Sequence, residues 1–91
     1  MAEKTKKRTK KNTDKESKTN KRLILHNDDY HTFDYVIDAL MSICNHQLEQ
    51  ATQCTYIIHN KGKADVKKGS LETLRPMRQA FSARDLKATI E

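Results

Sequence analysis

Residues 22–44 read RLILHNDDYHTFDYVIDALMSIC, and three kinds of local structure follow one another within them. Leu23, Ile24 and Leu25 form a short apolar run bounded by Arg22 and His26, which predicts a strand. Asn27-Asp28-Asp29 follows, and short polar side chains that bond back to their own backbone favour a sharp turn. Thr32 is a good N-cap, and Asp34 places a negative charge in the first helical turn, where the backbone dipole favours it. Phe33, Val36, Ile37, Leu40, Ile43 and Cys44 then recur at spacings of three and four, which makes one apolar stripe ending near Asn45-His46.

Working outward, Gln47 to about His59 predicts a second helix with a weaker apolar face of Leu48, Ala51, Cys54, Thr55 and Ile58. Asn60-Lys61-Gly62 supplies its stop signal. Lys63–Lys67 alternates weakly and predicts a short strand. Gly69-Ser70 turns into a third helix, capped by Ser70, with Leu71, Leu74, Met77 and Phe81 as its buried stripe. Pro76 lies beyond the first turn and predicts a kink. Leu86–Glu91 reads as a closing strand. The order β-α-α-β-α-β predicts a two-layer α/β (α+β) domain over residues 22–91, a small three-stranded antiparallel sheet packed with three helices.

Residues 1–21 belong to a different class of chain. Their only apolar side chains are Met1 and Ala2, too little to offset the entropy of ordering, so a disordered Lys-rich tail is expected. Residues 1–22 hold ten Lys/Arg against three Asp/Glu, whereas residues 23–91 hold eight against nine. The excess positive charge therefore sits in the tail, and the domain offers no basic nucleic-acid-binding face. The N-terminus has no apolar signal core, and no window is long enough to span a membrane, so a cytoplasmic protein is expected. Cys44 and Cys54 then read as reduced, small hydrophobes. Cys44, His46, Cys54 and His59 match no zinc-ligand spacing, so neither metal nor cofactor is expected.

Two blocks carry a family likeness. Leu25-His26-Asn27-Asp28-Asp29-Tyr30 resembles the opening signature of the ClpS adaptors. Ala51-Thr52-Gln53, Ile58-His59 and Gly62-Lys63-Ala64 resemble that family's second block at the expected distance. The resemblance implies a non-enzymatic protein that captures substrates by their N-terminal residue, of the bulky Leu, Phe, Tyr or Trp class. It implies delivery of these N-degron-bearing proteins to the N-terminal domain of a Clp AAA+ ATPase of the ClpA or ClpC type. It further implies a monomer with no nucleic-acid or membrane partner.

By motif position the likeness implies that Asn27, Asp28 and His59 bind the α-amine, with Asp29 beside them at the rim. It implies a hydrophobic pocket of Phe33, Val36, Thr55, Ile58 and Leu86, and places Glu72 on a chaperone-docking surface. The chemistry suits those residue types. An α-amine titrates near 7.7–8 in model peptides, so at neutral pH it is largely a cation with three donors. An Asn carbonyl, a carboxylate and a neutral imidazole are acceptors for it. An acetylated terminus presents no ammonium and leaves those acceptors unpaired. Thr55 and His59 stand four apart, so one helix face presents both.

Some positions depart from the family pattern. His31-Thr32 stands where Thr-Pro is usual, and Phe33 and Thr55 occupy positions where methionine is common. A larger wall residue and a smaller, partly polar one are expected to reshape the pocket. Two other functions fit parts of the chain: a ClpS-like docking module that no longer reads N-termini, and a nucleic-acid binder acting through the basic tail. His26, His31 and His46 read as polar groups on the surface with no assigned role, His31 being the exception at the pocket rim.

Overall fold

The computed structural model describes residues 20–91, so the expected tail lies outside the described residues apart from Asn20 and Lys21. Lys21 already opens the first strand. The elements are β1 (Lys21–His26), α1 (Phe33–Cys44), α2 (Leu48–Lys61), β2 (Lys63–Gly69), α3 (Leu71–Ala83) and β3 (Ala88–Ile90). Their order is the expected one. The sheet runs β2-β1-β3 with both pairings antiparallel. The most apolar strand takes the centre, where Leu23 and Leu25 are completely buried. The edges go to Lys-rich β2 and three-residue β3, and lysine or shortness discourages further strand pairing.

One core joins sheet and helices. Leu23, Leu25 and Val66 from the sheet meet Ala39, Leu40 and Cys44 of α1, Ala51 and Ile58 of α2, and Leu74 and Phe81 of α3. The capping expectations hold. The Thr32 hydroxyl accepts from the Tyr35 N–H at 3.2 Å, and Ser70 does the same for Thr73. Asn45 ends α1 in the left-handed region, with φ 59°. Burial pushes the Cys44 thiol up to about 11 and raises that of Cys54, in keeping with two unreactive apolar groups.

α3 continues through Pro76, which is exposed, as is Glu72, whose carbonyl loses its helical donor to the proline. Three details differ from expectation. Leu48 and Leu71 open their helices as exposed residues rather than core ones. β3 begins at Ala88 rather than Leu86, because the Leu86 N–H is spent on the Phe81 carbonyl at 2.9 Å. His46 is buried, not on the surface.

The last has a clear cause. Leu23 pairs with Lys67 and Ile24 with Asp65, so Val66 is an extra residue in the ladder. Such a bulge leaves backbone groups needing partners. His46 Nε2–H donates to the Val66 carbonyl at 2.6 Å, tying the α1–α2 turn to β2. Among the described residues, no helix is long and apolar enough to cross a membrane.

Candidate ligand-binding site

The turn after β1 is built around one carboxylate. Asp28 Oδ1 accepts the backbone N–H groups of Tyr30 at 2.8 Å and His31 at 2.9 Å, the Asx-type closure that its sequence position favours. The His31 ring adds Nδ1–H bonds to Oδ1 at 3.1 Å and Oδ2 at 2.9 Å. Burial raises the Asp28 pKa, but these bonds from the His31 ring and from the His31 and Tyr30 backbones outweigh it. The net result lies below the usual carboxylate range. Asp28 is an anion at neutral pH.

A second contact brings the two ends of the motif together. The Asn27 N–H donates to the Gly62 carbonyl at 2.8 Å, so the turn is pinned to the residue that ends α2. Gly62 has φ +93° while its own N–H bonds to the Ile58 carbonyl at 2.8 Å. Only glycine adopts that conformation readily. Asn27 is thereby held near the last turn of α2, the turn that carries Ile58 and His59.

Between them lies a cavity of about 250 Å³. Its polar rim is formed by His26, Asn27, Asp28, Asp29, His31, Thr32 and His59, and its walls by Leu25, Phe33, Val36, Thr55, Ile58 and Leu86. That volume is below the roughly 300–1,000 Å³ typical for drug-sized ligands, so one side chain with its backbone is the appropriate scale. His26 Nε2 and the Thr89 hydroxyl are 2.8 Å apart. Burial, with Lys87 and Lys63 nearby, lowers the His26 pKa against a smaller opposing pull from Glu91, favouring the neutral ring. Two larger hollows, of about 510 Å³ beside Arg78 and 340 Å³ beside His46, lie open on the surface and gather neither motif block.

Known proteins resemble this chain in sequence and in fold. The family model for the "ATP-dependent Clp protease adaptor protein ClpS" matches residues 15–89. The chain belongs to the ClpS adaptor family. The ClpS of Desulfatibacillum aliphaticivorans is 33% identical over 66 residues, covering 65% of this chain and 64% of its own length. That of Serratia proteamaculans is 42% identical over 43 residues, covering 47% of this chain and 41% of its own. The chain thus spans less than two thirds of these relatives. A solved structure of Agrobacterium tumefaciens ClpS2 bound to L-phenylalaninamide shares the fold with a TM-score of 0.75 at 19% identity. The likeness covers 81% of this chain and 96% of that one.

The ClpS-type motif residues Asn27, Asp28, Asp29, Phe33, Val36, Thr55, Ile58, His59 and Leu86 all border this one cavity. Glu72 does not. It is exposed in the first turn of α3, apart from the cavity. Leu25 was missed as a lining residue because it reads first as strand core. At the departures from the ClpS pattern, the Phe33 ring meets His59 edge-on, with centroids 5.3 Å apart, and Tyr56 at 5.0 Å. Thr55 is buried and donates its hydroxyl proton to the Ala51 carbonyl at 2.7 Å. The polar atom that replaces methionine is therefore already satisfied.

Gly62 gives a direct test of how the two blocks are coupled. No atom lies within 4 Å of a Cβ built there, so Gly62→Ala meets no clash and carries only the backbone penalty. That penalty is roughly 1–2 kcal/mol. A thermal melt is expected to show the loss, and amide exchange at Asn27 to quicken more than exchange in β1.

Proposed function

We propose that this chain is an adaptor that binds the free N-terminal residue of substrate proteins and delivers them to a Clp AAA+ ATPase. The first residues it takes are of the bulky hydrophobic class, Leu, Phe, Tyr or Trp. The observation that carries the reading is the two-ended cavity, an acceptor-rich rim continuous with apolar walls. Asn27, Asp28 and His59 are assigned to the ligand's ammonium, with Asp29 at the rim. Charge-assisted bonds contribute about twice what neutral ones do. Phe33, Val36, Thr55, Ile58 and Leu86 receive the side chain, whose burial contributes roughly 1.5–3 kcal/mol. Phenylalaninamide, the ligand in the A. tumefaciens structure, carries both features: a free α-amine and an aromatic side chain.

Delivery to a ClpA- or ClpC-type N-terminal domain, with Glu72 on the docking surface, rests on family membership and on that residue's exposure away from the cavity. An adaptor leaves its ligand chemically unchanged. The test is fluorescence anisotropy with labelled peptides that differ only at the first residue: Leu, Phe, Tyr, Trp, Met, Glu and N-acetyl-Leu. Micromolar or tighter binding to the bulky starts is expected, with acetylation abolishing it. Binding that ignores acetylation, or its absence for every peptide, sinks the amine-reading role and leaves a chaperone-docking module.

A further inference from the structure

We propose that His31 is a positioning residue of the amine site, holding Asp28 so that one carboxylate oxygen keeps an acceptor position for the ligand's ammonium. The inference rests on the amine-binding reading above and adds to it a residue outside the assigned set. A carboxylate offers about four lone-pair positions. On Asp28, Oδ1 receives the N–H groups of Tyr30 and His31 and the longer, 3.1 Å contact from the ring. Oδ2 receives only the ring Nδ1–H, at 2.9 Å. The spare acceptor capacity therefore lies on Oδ2, and the His31 ring fixes where that atom sits.

The ring is itself held firmly. It stacks on Tyr35, with centroids 4.6 Å apart and planes 16° from parallel. The Tyr35 hydroxyl donates to the Arg84 carbonyl at 2.8 Å, and Arg84 in turn pairs with Asp38 at 3.1 Å. Rotation of His31 would break the stack as well as the Asp28 bond. The His31 side chain is 16% exposed and that of Asp28 28%, so the pair is shielded yet still borders the cavity.

The experiment compares the full chain with His31→Ala and His31→Asn, using a Phe-starting peptide and its N-acetylated twin. At pH 7.5 His31→Ala is expected to bind about tenfold more weakly, the scale of one hydrogen bond to a charged group. His31→Asn retains a short donor toward Asp28 and is expected to recover most of that loss. Equal affinity for all three proteins overturns the role of His31 while leaving amine reading intact. Equal weakening of Ala and Asn marks a merely structural residue and also overturns it. Indifference of the parent chain to acetylation removes the amine reading itself, and the proposal with it.

Discussion

Asp28→Asn is expected to weaken binding of a Leu- or Phe-starting peptide roughly 30- to 150-fold, as expected for removing one partner of a shielded charge pair. The substitution nearly preserves shape. The Asn carbonyl oxygen still accepts from the Tyr30 and His31 N–H groups, so the turn keeps the bonds that Asp28 Oδ1 makes at 2.8 and 2.9 Å. What disappears is the negative charge assigned to the ammonium, together with the Oδ2 acceptor that holds the His31 ring at 2.9 Å, since an amide NH2 cannot accept its Nδ1–H. Folding changes in a distinguishable way. The Asp28 pKa is lowered in the folded chain, so its charge stabilises the fold above the ordinary carboxylate range. That contribution is lost as pH falls through the lowered value. The melting difference between variant and parent is therefore expected to shrink in acid, whereas the affinity difference is read at neutral pH. Matching affinities at pH 7.5 would take Asp28 out of amine recognition.

Most of the fold was legible because periodic segments declare themselves. The α1 stripe predicted a helix that runs from Phe33 to Cys44 as expected, and Gly62 ends α2 just where its missing Cβ is needed. The misplacements occur where tertiary structure overrides local pattern. Leu48 and Leu71 are apolar residues at helix starts, and both stand exposed there. Leu86 continues an apolar pattern into β3, but its N–H is claimed by the end of α3. His46 was illegible for a deeper reason. The group it satisfies exists only because β1 and β2 pair with a one-residue bulge, and no local signal marks that register.

The candidate site was legible to a different extent. Asn27, Asp28, Asp29, Ile58 and His59 could be named from two short blocks, but the contact joining those blocks is backbone to backbone, Asn27 to Gly62. Side-chain identity carries no trace of such a bond beyond the glycine itself. His31 shows the converse. Its identity was plain and its place at the rim was expected, yet its grip on Asp28 required the ring orientation that Tyr35 imposes.

Phe81→Ala is expected to be the most damaging single substitution for stability, at about 3–5 kcal/mol. Phe81 is the largest of the fully buried side chains and packs in the cluster shared by α1, α3 and β1. A small domain has only several kcal/mol of stability in total, so the loss consumes most of it. At about 4–8 °C per kcal/mol for this size class, the melting temperature is expected to fall by roughly 12–40 °C. The damage extends toward the site. The Phe81 carbonyl receives the N–H groups of Arg84 at 3.0 Å and Leu86 at 2.9 Å, and through them α3 sets Leu86 in the cavity wall. A cavity behind Phe81 loosens that setting without touching Asn27, Asp28 or His59. Peptide added at about one hundred times its dissociation constant stabilises a binding-competent fold by about 2.7 kcal/mol. Thermal melts with and without a Phe-starting peptide therefore separate the two effects. A lowered but peptide-responsive melt means the core was damaged and the amine rim survived. A melt close to that of the parent chain would show that α3 is not anchored through Phe81.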